Sequence, residues 1–81
     1  MHELAITEQI IKMAAAKGKE AGAAAVTRIR LVVGERSSYA AEPIRLYFGM
    51  MSEGTLCEGA ELEFETAESD EFYIDNIEVE E

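Results

Sequence analysis

The chain of 81 residues has one Cys, one His, one Pro and no Trp, and these scarcities exclude several kinds of protein. The single cysteine, Cys57, cannot form an internal disulfide, and no C-x-x-C pair exists to hold zinc. The one histidine, His2, is at the start of the chain, and no lysine follows Lys19, so no nucleophile has a nearby base. No glycine-rich phosphate loop is present. The sequence therefore predicts that the protein is not an enzyme.

Positive charge is absent from the last third of the chain. Residues 1–52 hold all seven Lys and Arg together with five acids, whereas residues 53–81 hold twelve acids and no base, for a net charge of −10. Such a chain is repelled by nucleic-acid phosphates and by anionic membrane surfaces. No apolar run approaches the roughly 18 residues that a membrane span needs. We therefore expect neither nucleic acid nor a membrane as a partner.

The length and an apolar content of 48% predict one small folded domain covering residues 1–81. No signal-peptide pattern is visible at the start of the sequence. Together with the lone cysteine, this predicts a protein of the reducing cytoplasm.

Hydrophobic periodicity predicts two helices. The first begins near Leu4 and ends before Gly22, with an apolar stripe formed by Ile6, Ile10, Met13 and Lys17 and widened by Ile11, Ala14 and Ala15. The second is expected to begin with Pro43 at its first position and to end near Gly54. Its apolar face consists of Ile44, Tyr47, Phe48 and Met51.

Alternating patterns predict strands at residues 27–33, 61–65 and 72–79. In the last of these the alternation slips at Asp75 and Asn76, which predicts a bulge. The short polar segment before it predicts that the second and third strands form an antiparallel hairpin. The expected fold is α/β (α+β), a two-layer sandwich with two helices on one face of a three- to four-stranded mixed sheet. If the sheet has a fourth strand, it is expected to be a short one at residues 1–3.

Charge makes a prediction about strand order. Arg28 and Arg30 point outward on the only basic strand, whereas outward Glu side chains line the two later strands. Rows of Glu directly opposite one another are destabilising. The Arg strand is therefore expected to lie beside at least one Glu strand.

Several motifs, in order and with consistent spacing, resemble a known family. They are Met1-His2-Glu3-Leu4, Val33-Gly34-Glu35, Gly54-Thr55, Glu58-Gly59-Ala60 and the terminal Ile77-Glu78-Val79-Glu80. Over nearly its whole length the chain resembles the nickel-insertion metallochaperones of hydrogenase maturation, the HypA/HybF family. The resemblance implies a nickel-binding protein that passes metal to a protein partner, either a maturation GTPase or a nickel-enzyme precursor.

The chain departs from the family in one place. Members carry a zinc lobe, built on two Cys-x-x-Cys pairs, between the strand matching residues 61–65 and the final strand. Here residues 66–71 bridge that gap with a short turn, so the chain resembles the nickel-binding domain alone and no zinc is expected. A natural loss of the lobe and a deliberate excision both remain open; the composition of the turn favours natural loss.

The first three residues offer metal donors. The Met1 amine, the His2 backbone nitrogen and His2 Nδ1 can chelate one metal, and Glu3 can add its backbone nitrogen or carboxylate. Nitrogen donors of this kind suit Ni(II) or Cu(II). In the resembled family, Met1, His2 and Glu3 match the nickel site. The alternative for His2 is a solvated residue at a frayed terminus.

Other residues have simpler explanations. Cys57 is interpreted as a small apolar residue rather than a ligand, and Met51 as a core residue rather than a copper ligand. Glu35 is interpreted as part of a turn and Glu42 as the N-cap before the second helix, rather than as partner contacts or as residues around a metal site that support its ligands. The competing function is a metal-free protein-interaction module that keeps the fold, with a homodimer left open.

Overall fold

The protein folds as two helices covering one face of a small sheet. The computed structural model describes residues 2–81, and for His2 the backbone alone. The elements in chain order are α1 (His2–Glu20), β1 (Ala25–Gly34), α2 (Ala41–Met51), β2 (Glu61–Ala67) and β3 (Phe72–Glu80). The α+β class, the two helices and the mixed sheet are confirmed. The optional strand at residues 1–3 is wrong, because α1 begins at His2.

β1 is the central strand, and the sheet order is β2-β1-β3. β1 pairs in parallel with β2 and antiparallel with β3. The predicted hairpin of β2 with β3 is therefore wrong, since these strands lie at opposite edges. The short connection between them crosses the end of β1 instead, and the two Arg of β1 separate two rows of carboxylates that a hairpin would have placed side by side.

The predicted bulge in β3 is present. Arg30 pairs with Asn76 and Leu31 with Ile74, so Asp75 is the extra residue. An extra residue reverses the alternation of a strand. As a result Ile74 and Ile77 face the helices together, although their spacing is odd.

The core lies between the helices and the inner face of β1. Its fully buried side chains include Ile29, Leu31 and Ile44. The predicted stripe of α1 is partly wrong: Met13 is 54% exposed, whereas Thr7 is buried. The buried positions of α1 are Thr7, Ile10, Ile11, Ala14 and Gly18. They follow the helical period but face α2 and β1, a direction that periodicity alone does not specify.

α2 begins two residues earlier than predicted. Its N-cap is Ala40, so Glu42 is not the N-cap but a first-turn residue. Pro43 is then the third helical residue, where its missing N–H still costs no intrahelical hydrogen bond. The predicted apolar face is confirmed by Ile44 and Phe48, which are buried.

The connection between β2 and β3 packs tightly on Gly34. The Gly34 N–H donates to Glu71 O at 2.7 Å, and the Arg36 N–H donates to Ser69 O at 3.0 Å. A Cβ added to Gly34 would lie 2.3 Å from Ser69 O, so only glycine leaves room for the crossing backbone.

Candidate metal centre

Two of the three predicted metal ligands, His2 and Glu3, belong to the first turn of α1. Met1 lies outside the described residues, as does the side chain of His2, and α1 starts at His2. The N–H groups of a helix's first turn have no carbonyl partner within the helix. The backbone nitrogens of His2 and Glu3 are therefore not committed to intrahelical hydrogen bonds.

Glu3 joins the start of α1 to the start of α2. Its Oε2 accepts a hydrogen bond from the Ala40 N–H at 3.3 Å. Ala40 is the N-cap of α2 and has no side-chain cap of its own. Glu3 thus accepts, from another helix, the N-cap N–H that the Glu or Gln of a capping box would accept from within α2. The negative charge also lies at the positive end of the α2 dipole.

The main chain of Glu3 is held as well, because Thr7 Oγ1 donates a hydrogen bond to Glu3 O. Thr7 is fully buried. A buried hydroxyl one turn further along the helix therefore stabilises the backbone on which the predicted ligands are placed.

The rest of the described chain offers no alternative metal site. Among residues 3–81 no group of three His, Cys, Asp or Glu side chains is arranged to hold a metal ion. Glu35 and Glu42 are exposed.

Cys57 is a core residue, as interpreted from the sequence. It is fully buried, and its Sγ lies 3.8 Å from Ile11 O. Burial raises the pKa of its thiol, which disfavours the thiolate that binds metals. Met51 packs against the core, also as interpreted.

A charged network covers the outer face of the sheet, the side away from the helices. Arg28 lies between Glu61 at 3.3 Å and Glu78 at 3.5 Å. The prediction that the Arg strand lies beside a Glu strand is confirmed, since carboxylates flank it on both sides. Glu63 contacts both arginines, at 3.5 Å from Arg28 and 3.0 Å from Arg30.

Arg30 also contacts Glu65, and Asp75 at 3.5 Å. Hydrogen bonds to Glu65 and Glu63 raise the pKa of the Arg30 guanidinium. Asp75 was not expected among its partners. The bulge that places Ile74 and Ile77 on the core face also brings this carboxylate to Arg30.

Within residues 2–81 neither helix is long and apolar enough to span a membrane. The N-terminal ends of α1 and α2 form the candidate centre, and Glu3 is its described carboxylate.

Comparison with known proteins identifies the fold and the family. A solved structure of the Ni metallochaperone HypA from Helicobacter pylori has the same fold, with a TM-score of 0.74 and 20% sequence identity, over 91% of this chain and 70% of that one. A hydrogenase maturation factor HypA from Dehalococcoides mccartyi is 42% identical over 64 residues, which are 79% of this chain and 54% of the relative. Another, from Caldanaerobacter subterraneus, is 34% identical over 64 residues, 79% of this chain and 56% of the relative.

The chain thus spans about half the length of these two relatives. Residues 1–72 match the family model described as hydrogenase/urease nickel incorporation, metallochaperone, hypA. The chain belongs to the HypA family of hydrogenase and urease nickel-incorporation proteins.

Proposed function

We propose that this domain binds Ni(II) at Met1, His2 and Glu3 and delivers it during maturation of a nickel enzyme such as hydrogenase. The observation that carries the proposal is the family match over residues 1–72, which includes these three residues. On this proposal the protein is a metallochaperone and not an enzyme, and nickel is its cargo.

The chemistry of the donors supports nickel. The Met1 amine, the His2 amide nitrogen and His2 Nδ1 are nitrogen donors, and such sets suit Ni(II). Glu3 contributes its backbone nitrogen or its carboxylate. Coordination through the carboxylate competes with the Ala40 N–H, which Glu3 Oε2 contacts at 3.3 Å. Coordination through the Glu3 backbone nitrogen instead leaves the hydrogen bond from Ala40 to the Glu3 carboxylate in place.

The acidic domain acts, on this proposal, in the cytoplasm and without zinc of its own. Its only cysteine is Cys57, which is buried. On this proposal residues 66–71, the first two of which end β2, stand where the family's zinc lobe is expected. The receiving partner is a maturation GTPase or a nickel-enzyme precursor.

The test is isothermal titration of Ni(II) into protein that begins at Met1 with a free amine. His2→Ala and a form extended by Gly-Ser before Met1 should both lose binding, the second because its amine has become an amide. Glu8→Gln is the matched control: Glu8 lies in α1 and contacts Lys12 at 3.9 Å, and the change should leave affinity unaltered.

Affinity should rise with pH, because the donors must lose protons to bind. Equal affinity in wild type, His2→Ala and the extended form would remove the proposed site. The metal-free interaction module would be the better description if none of these proteins bound Ni(II).

A further inference from the structure

The outer face of α2 exposes two large apolar side chains one turn apart. Leu46 is 65% exposed and Met50 is 58% exposed, the two highest values among the large apolar residues that the structure describes. Residues four apart lie on the same side of a helix. Leu46 and Met50 therefore form a continuous apolar strip that nothing in residues 2–81 covers.

Gly49 lies beside this strip, and no close packing within the domain requires a glycine there. Glycine inside a helix is less stable than alanine because it has more conformational freedom to lose. A Cβ added at Gly49 meets nothing within 4 Å, whereas one added at Gly34 meets Ser69 at 2.3 Å. The fold explains Gly34 but does not explain Gly49. A helix position without a side chain allows the backbone of a partner to come close.

Acidic side chains stand at both ends of the strip. Glu42 is one turn before Leu46, and Glu53 lies shortly after Met50; both are exposed. The one basic residue of α2, Arg45, is turned towards β2, where it donates a hydrogen bond to Leu62 O at 3.1 Å. The strip is therefore apolar in its middle and negative at both ends.

These charges decide between two kinds of occupant. If a second copy of α2 packed antiparallel across a two-fold axis, Glu42 of each copy would approach Glu53 of the other, and like charges oppose such contact. A helix with an apolar stripe and flanking Lys or Arg has the complementary pattern. The net charge of −10 also attracts a basic partner over distance.

We propose that the α2 patch, formed by Leu46, Gly49 and Met50 between Glu42 and Glu53, is a docking surface for a basic amphipathic helix of a partner protein. The apolar part of this surface lies beyond the first turn of α2, and its use does not require metal.

The test measures fluorescence anisotropy of a labelled synthetic helix of about 18 residues, or five turns, with a leucine stripe and lysines on both flanks. The comparison peptide carries glutamate at every lysine position. Wild-type protein should bind the lysine peptide at least about tenfold more tightly than the glutamate peptide, and added salt should weaken the binding.

Substitutions on α2 and in the α1–β3 groove test where on the domain the peptide binds. Leu46→Ser with Met50→Ser should weaken binding about tenfold. Met13→Ser should not, although Met13 is 54% exposed and lines a separate open groove of about 460 Å³ between α1 and β3. Gly49→Ala separates a binding role from a structural one, because it should raise the thermal midpoint and yet weaken peptide binding.

Three results would overturn the proposal. The first is unchanged affinity in the Leu46→Ser, Met50→Ser protein, which would indicate attraction by charge alone. The second is loss of binding in Met13→Ser, which would place the peptide in the α1–β3 groove. The third is a wild-type dimer by sedimentation that the double substitution dissociates, which would identify a second copy as the occupant.

Discussion

Gly34→Ala should destabilise this domain far more than an ordinary surface substitution. Gly34 ends β1 at the point where the connection from β2 to β3 crosses. Its backbone is not in the left-handed region, so space alone requires glycine here. A Cβ would lie 2.3 Å from Ser69 O and 2.7 Å from Ser69 C. Both are backbone atoms, which cannot rotate away as a side chain would.

The size of the effect follows from what must move. To reach an ordinary contact of 3.4 Å, the connection must shift by roughly 1 Å, and overpacking of this kind costs about 1–3 kcal/mol. The shift also strains the hydrogen bonds from Gly34 N to Glu71 O and from Arg36 N to Ser69 O, each worth about 1 kcal/mol. We expect a loss of about 3 kcal/mol in the free energy of unfolding.

The assay is urea and thermal unfolding followed by circular dichroism. A domain of this size loses about 4–8 °C of thermal midpoint per kcal/mol, so Gly34→Ala should lower the midpoint by at least about 12 °C. The matched control is Gly49→Ala, where the added Cβ meets open space. That variant should gain about 0.5–1 kcal/mol. If Gly34→Ala stays within about 0.5 kcal/mol of wild type, the close crossing of Gly34 is refuted.

Two further predictions concern charge and burial. Arg30→Gln should lower stability, because it leaves carboxylates facing one another, and the loss should shrink in high salt as screening increases; Arg36→Gln, in the exposed loop, should change little. Burial raises the pKa of Cys57, so ionisation favours the unfolded chain as pH rises above about 8.5. The stability advantage of wild type over Cys57→Ala should therefore shrink above that pH in denaturant titrations, whereas equal pH dependence of the two proteins would contradict the assignment. For the same reason, a thiol reagent should label native Cys57 only as fast as the domain opens.

Local patterns in the sequence predict the elements of this fold well. Alternation of apolar and polar residues identifies all three strands, and the helical period identifies α2 through Ile44 and Phe48. The slip at Asp75 predicts the bulge because one extra residue must reverse the alternation. Charge predicts that Arg28 and Arg30 lie beside acidic rows. Each of these inferences depends on residues that are close in sequence or on a single electrostatic preference.

The sequence does not fully predict how these elements are arranged relative to one another. A polar segment between two strands favours a hairpin, but it is also long enough to pass over the end of a third strand, and only Gly34 allows that passage. Met13 follows the period of α1, yet the helix turns this side towards an open groove. The Glu3–Ala40 contact joins residues 37 positions apart, and no local pattern indicates it.

The loop at residues 35–40 connects the candidate metal centre with the β2–β3 connection. At one end of the loop, Ala40 donates to Glu3 at 3.3 Å. At the other, Arg36 N donates to Ser69 O at 3.0 Å, and between them Tyr39 packs edge-on against Phe72, with ring centroids 4.9 Å apart. Because β2 and β3 flank β1, their connection crosses the end of β1 and contacts this loop, which a β2–β3 hairpin would not require. The central position of β1 thus places the start of α1 and the β2–β3 connection at the two ends of one six-residue loop.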